Sequence, residues 1–283
     1  KVSLLMNAIN VSGNAILIYG FHCGTEGVAI PTLVSRFVAA FIIIKLLLKD
    51  KWSLHLERTF RFNPDWSMIR KILSVGIPNG LENSMFQLGK VLVLSLVSTF
   101  GTYAIAANAV SNVITLFSIL PGQAICLAVT TVIARCVGAG DYEQAKYYNK
   151  KLILLTHIGM AITIFIVFIT LPFILKVYNL SEAASEATRH IIWFHGFCAI
   201  LIWAESFTLP ATFRACGDAK ACMIISTVSM WIFRVGASYI LGKNLGLGVF
   251  GVWVAMIIDW AFRSLLFGIR YFSGKWKKHA LVS

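Results

Sequence analysis

The chain has 283 residues, of which 58% are apolar and only 13% charged, about half the charged fraction of a soluble domain. A water-soluble fold of this size cannot hide that much apolar surface, and the mean hydropathy of +0.78 places the chain in a bilayer. The net charge of +13 imitates a nucleic-acid binder, but such proteins gather Lys and Arg on one face; here they punctuate apolar runs, so no nucleic-acid partner is expected.

A bilayer core takes about 20 apolar residues in helix. Eight segments qualify: 2–21, 27–47, 72–99, 103–134, 149–175, 187–211, 219–241 and 247–272. The expected fold is all-α and integral to the membrane, with eight transmembrane helices and both ends on one side. Connecting segments alternate in charge. Seventeen Lys or Arg fall around 45–71, 135–151, 214–220 and the tail from Arg270, against Lys176, Arg189 and Lys243 on the other side. Basic segments stay inside, so those loops and the C-terminus are expected to be cytoplasmic, in a bacterial plasma (inner) membrane. The chain starts at Lys1 with no leader, and a cut start is expected.

Residues 49–71 interleave Trp52, Leu54, Leu56, Phe60, Phe62 and Trp66 with Lys and Arg. That composition suits a connector lying in the headgroup layer. The expected organisation is therefore 1–48 as two helices of a first lobe, 49–71 as a cytoplasmic interfacial connector, and 72–283 as a six-helix lobe.

An ionisable side chain inside a span must face the bundle interior or a cavity. Arg36 has no local acid, and its partner is expected in helices upstream of this chain. In the span from 72, Asn79, Glu82, Asn83, Gln87 and Lys90 fall within an arc of about 140°, after a bend at Pro78. They are read as lining a central cavity, with Glu82 the carboxylate for a cation or proton; alternatively Glu82 and Lys90 lock helix to helix. Asn108 and Asn112 continue the polar face, and Pro121-Gly122-Gln123 supplies a hinge with a polar side chain beside it. His157 stands alone in its span. His190 and His195 lack a third ligand at metal spacing, so no metal site is expected. Glu205 is a second candidate for a cation or proton site, or an inner partner of Arg214. Arg234 is buried, and Asp259 and Arg263 stand at i, i+4 in the acid-before-base order, which reads as structural pairing. The six cysteines form no ligand pattern and read as packing residues. No nucleotide-binding loop or nucleophile grouping is present, so an enzyme is not expected, and neither is a cofactor.

One repeat stands out. Residues 27–52 align without gaps with 251–276, both opening on Gly-Val and closing on Lys-Trp, at an offset of 224 residues. Two parallel copies of six spans would make a twelve-helix protein with its substrate path between the halves, of which this chain holds eight helices and lacks four of its first lobe.

Several ordered stretches carry a family resemblance: GIPNGLENSMFQLGK at 76–90, AANAVSNV at 106–113, LPGQA at 120–124, VGAGDYEQAK at 137–146, FRACGDAK at 213–220 and GVWVAMIIDW at 251–260. They resemble the second half of the multidrug and toxic compound extrusion (MATE) antiporters, nearest the DinF-like members. The resemblance implies a twelve-helix, two-lobe transporter that exports small organic cations or amphipathic drugs and metabolites by alternating access, in exchange for Na⁺ or H⁺. Family members with a cation site in this lobe carry carboxylates where this chain has Phe86 and, near Glu205, Trp203. The first-helix Asp of DinF-like members falls outside this chain. Three alternatives remain open: a lipid-linked oligosaccharide flippase of the same superfamily, for which Arg36, Lys90, Arg234 and Arg263 would supply a cationic cavity; a fragment without function; and, least favoured, a membrane transferase.

Overall fold

Among the described residues, eight long helices form where the apolar segments end in residues able to cap or turn the chain. The computed structural model describes residues 2–48 and 64–279 and divides into two units, Lys1–Pro64 and Asp65–Ser283. Most of the 49–71 connector lies outside the described residues; its last part, from Trp66, is already helix.

The first unit is a hairpin of α1 (Val2–Gly20) and α2 (Glu26–Leu47). Asn10 Nδ2 donates to Thr32 Oγ1 across it at 3.0 Å. Gly13 lets the Pro31 ring approach so closely that a Cβ there would lie 2.7 Å from Pro31 Cβ. Arg36 lies on the surface of this unit.

The second unit holds α3 (Trp66–Ser98), α4 (Thr102–Gly138), α5 (Tyr142–Tyr178), α6 (Glu182–Ala215), α7 (Ala219–Asn244) and α8 (Gly248–Phe272). A final short turn covers Lys275–His279. Asp65 caps α3 by accepting from the backbone N–H of Ser67 and Met68. Asp141 does the same for α5 from Gln144. Gly101 at φ 97 supplies the turn into α4, a conformation other residues avoid. α4 and α5 each run 37 residues, about 55 Å at 1.5 Å per residue and well beyond a hydrocarbon core of about 30 Å. The helices thus continue past their apolar stretches to the capping residues, which is why their ends lie outside the expected bounds.

Seven of these helices are long and apolar enough to cross a membrane. α3 has the length, but Asn79, Glu82, Asn83, Gln87 and Lys90 lower its hydropathy. The core of the second unit joins Leu96, Ile164, Ile191, Trp203, Trp253 and Trp260 from four helices. Small residues let the backbones meet: a Cβ on Gly251 would lie 2.8 Å from the Leu241 carbonyl. At one end of the unit, Tyr142 packs on Trp276 and Asp218 is bridged twice by Arg270, at 2.6 and 2.9 Å.

The internal repeat is visible in the backbone. α1 ends in a wide π turn at Ile16–Gly20, and α7 ends in one at Tyr239–Asn244. Phe21 N–H donates to Ile16 O and Cys23 N–H to Leu17 O; 224 residues later Leu245 N–H donates to Ile240 O and Leu247 N–H to Leu241 O. Both hairpins therefore turn by the same hydrogen bonds. Two further π turns, Ala204–Thr208 and Met230–Gly236, lie inside α6 and α7.

Candidate substrate cavity

A cavity of about 620 Å³ opens in the second unit among α3, α4, α6, α7 and α8. Lys90 and Phe86 enter it from α3, Asn112 and Gln123 from α4, and Arg234 from α7. Trp203, Phe207, Trp253 and Trp260 form aromatic walls. A smaller adjoining pocket of about 210 Å³ shares Lys90, Asn112 and Arg234 and adds Asn108. Asn108 Oδ1 accepts from Trp253 Nε1 at 3.1 Å, while Asn112 Nδ2 donates to Asn108 O at 2.7 Å. Asn108 thus ties α4 to α8, while Asn112 bonds back onto its own helix.

The polar stripe of α3 divides. Lys90 reaches the cavity, with its Nζ 5.0 Å from the Phe86 ring centroid. Asn79 is half-buried, and Asn83 and Gln87 lie on the surface of the unit; Asn83 Nδ2 donates to Asn79 O. Glu82 turns inward and does not pair with Lys90. Its Oε1 accepts from Arg214 Nη2 at 2.7 Å and lies 4.0 Å from Arg263 Nη2. Pro78 is buried in an unbroken α3.

Glu205 does not meet Arg214 either. Nine residues separate them by about 13 Å along α6 at 1.5 Å of rise per residue, with the π turn at Ala204–Thr208 between them. Glu205 Oε1 lies 3.0 Å from His157 Nε2 of α5, and His157 Nδ1 lies 2.7 Å from Ile200 O. A carbonyl only accepts, so Nδ1 carries a proton. The Nε2–Oε1 contact then needs a second proton, on either the imidazole or the carboxyl. One proton is thus held between Nε2 and Oε1.

Asp259, expected as a partner of Arg263 or Arg234, lies beyond 4.0 Å of both, and its direct hydrogen bonds and those of Arg263 go to serines. Asp259 Oδ1 accepts from Ser229 at 2.5 Å, and Arg263 Nη2 donates to Ser226 at 3.0 Å. Ser226 and Ser229 sit one turn apart on α7, facing the buried stretch of α8, and their hydroxyls reach the two charges first. Arg263 also lies over Phe207, 4.7 Å from its centroid. Arg234 sits over Phe86 at 5.3 Å.

α4 runs through Pro121 and Gly122 as one helix. Thr163 Oγ1 of α5 lies 2.9 Å from Ser118 O, one turn before the proline. Gly122 is the notch that takes Trp203: a Cβ there would lie 2.7 Å from Trp203 Cη2. His195 is buried edge-on to Trp253 and Trp260. Among the described residues, no three His, Cys, Asp or Glu gather as for a metal, and all six cysteines are free thiols.

The model of the MatE family matches residues 78–240, more than half of the chain. The chain belongs to that family. It is 27% identical over 287 residues to the probable multidrug resistance protein NorM of Thermotoga maritima, and 26% identical to the uncharacterized transporter YisQ of Bacillus subtilis. These alignments cover 100% and 97% of this chain and 61% of each relative; the chain thus spans about three-fifths of their length. An outward-facing multidrug resistance MATE transporter superposes with a TM-score of 0.87 at 20% identity, over 98% of this chain and 62% of that one. A MOP superfamily transporter of Pyrococcus furiosus, described as having a binding pocket of reverse polarity, superposes equally well at 20% identity and the same coverage. The fold is that of MATE transporters, and this MATE chain is a multi-pass membrane protein.

Proposed function

We propose that the protein is a secondary transporter that exports amphipathic organic compounds from the cell, working by alternating access between two six-helix lobes. The observation that carries this reading is the cavity of the second unit, where amides and cations converge among aromatic walls in a chain of the MatE family. Such a cavity binds drug-sized molecules by their apolar bodies and orients them by a few polar groups. The protein resides in the plasma membrane, with the basic loops and the C-terminus cytoplasmic. The coupling ion is Na⁺ or H⁺, and the proton held between His157 and Glu205 favours H⁺. The cations Lys90 and Arg234 also suit a second reading, a lipid-linked oligosaccharide flippase.

The test uses the protein encoded by the complete gene, in everted vesicles, with fluorescent amphipaths of both charge signs. Accumulation that collapses when one gradient is dissipated supports the reading and names the coupling ion. If no compound moves under either gradient, the protein is not a secondary exporter.

A further inference from the structure

The cavity is lined by Lys90, Arg214 and Arg234 and by no carboxylate. Arg214 is neutralised from behind by Glu82, but Lys90 and Arg234 have no acid within 4.0 Å among the described residues. Their charge centres lie 5.0 and 5.3 Å from the centroid of the same ring, Phe86. Of the carboxylates on the elements packed around them, Glu82 is paired with Arg214, and Asp259, which accepts from Ser229, keeps its charge but lies beyond 4.0 Å of either cation. Two like charges held at one aromatic ring repel each other, and the ring's π face offsets only a small part of that. An anion between them removes the repulsion and gains charge-assisted hydrogen bonds from both. The walls beside them are rings, with Trp203 and Phe207 stacked at 5.1 Å. Gln123 adds an amide facing the same space.

We infer that this cavity binds an amphipathic organic anion. The carboxylate, sulfonate or phosphate sits between Lys90 and Arg234, and the aromatic or aliphatic body lies against Trp203, Phe207 and Trp260. A cationic drug meets the wrong sign of charge here. The inference rests on the exporter reading only for the step of transport; binding stands on the cavity itself.

Binding is measured first, on the complete gene product in nanodiscs, by fluorescence anisotropy of 5-carboxyfluorescein. Saturable binding is expected, displaced by anionic aromatics and not by ethidium. Lys90→Gln and Arg234→Gln should each weaken it roughly tenfold, the worth of one charge-assisted contact, while Lys90→Arg retains it. Competition on the unmodified protein does not depend on any variant folding. Displacement by ethidium as strong as by the anions, or no saturable binding, overturns the inference. Transport follows in vesicles, with 5-carboxyfluorescein in one arm and a fluorescently labelled phosphatidylglycerol in the other. Movement of the free anion alone assigns a soluble ligand, and flipping of the lipid alone assigns a lipid headgroup; either supports an anion site. Saturable anion binding with no movement of either compound keeps the site and discards the exporter reading.

Discussion

Glu82 of α3 and Arg214 of α6 are 132 residues apart in sequence and 2.7 Å apart in the fold. Glu82 is buried, and Arg263 lies beyond it at 4.0 Å, so one carboxylate stands between two guanidiniums. Removing it leaves both cations uncompensated in a low-dielectric interior. Glu82→Ala is expected to destabilise the protein by about 3 kcal/mol, as breakage of buried ion pairs does, read as a lowered melting temperature in detergent. The double change Glu82→Leu with Arg214→Met should recover much of that loss. If Glu82→Ala melts like the parent, the pair is not a structural lock.

His157 and Glu205 share one proton. Separately, His157→Gln and Glu205→Gln should each lower stability by about 1–2 kcal/mol, since each leaves a partly buried polar partner unsatisfied. Together they should cost less than the sum, because the second change removes an interaction already lost. In vesicles either change should abolish the response of transport to a pH gradient. A Glu205→Gln variant that stays fully proton-driven removes the pair from the coupling path.

Gly122→Ala reverses the usual sign of a glycine-to-alanine change in a helix. Alanine is favoured there by about 1 kcal/mol on propensity alone, but its Cβ would meet the ring of Trp203, which is only 3% exposed. A net loss of about 1–3 kcal/mol is expected from overpacking. Gly80→Ala in α3, where a Cβ would meet nothing within 4 Å, is the control and should be neutral or stabilising in the same melting assay.

Cys216 sits in the turn after α6. Burial, and then the charge of Asp218, push its thiol from 9.0 up to about 12. The unfolded chain therefore releases this proton first, so stability falls as pH rises from about 9 towards 12 and is unaffected below that window. Cys216→Ala should flatten that part of the stability–pH curve. At pH 8 a maleimide should label half-buried Cys23 well before Cys216, by mass spectrometry of the folded protein.

The helices were legible because bilayer thickness and capping residues act locally. A run of 20 apolar residues and an Asp65 or Asp141 at its head carry their own meaning. Polar residues within spans were legible as important but not as pairs. Periodicity says which face of α3 holds Glu82, not which helix that face meets, and the partners of Glu82 and Glu205 lie 132 and 48 residues away. The local pairs favoured by spacing fared worse. Glu205 and Arg214 stand about 13 Å apart along one helix and meet His157 and Glu82 instead, and Asp259 and Arg263 each bond a serine of α7. His157 gave one signal, a titratable group alone in an apolar run, but nothing in the sequence joined it to Glu205.

The matched turns at Phe21–Cys23 and Leu245–Leu247 bear on the internal repeat. Their bonds run from main chain to main chain, so side chains take no part in them; the residue at the middle of each turn, His22 in one and Gly246 in the other, stands at positive φ, 51° and 69°, where most side chains are disfavoured. The two hairpins therefore share one turn geometry while few of their side chains are identical. The likeness of the two hairpins is carried by the main chain, in the atoms that every amino acid shares.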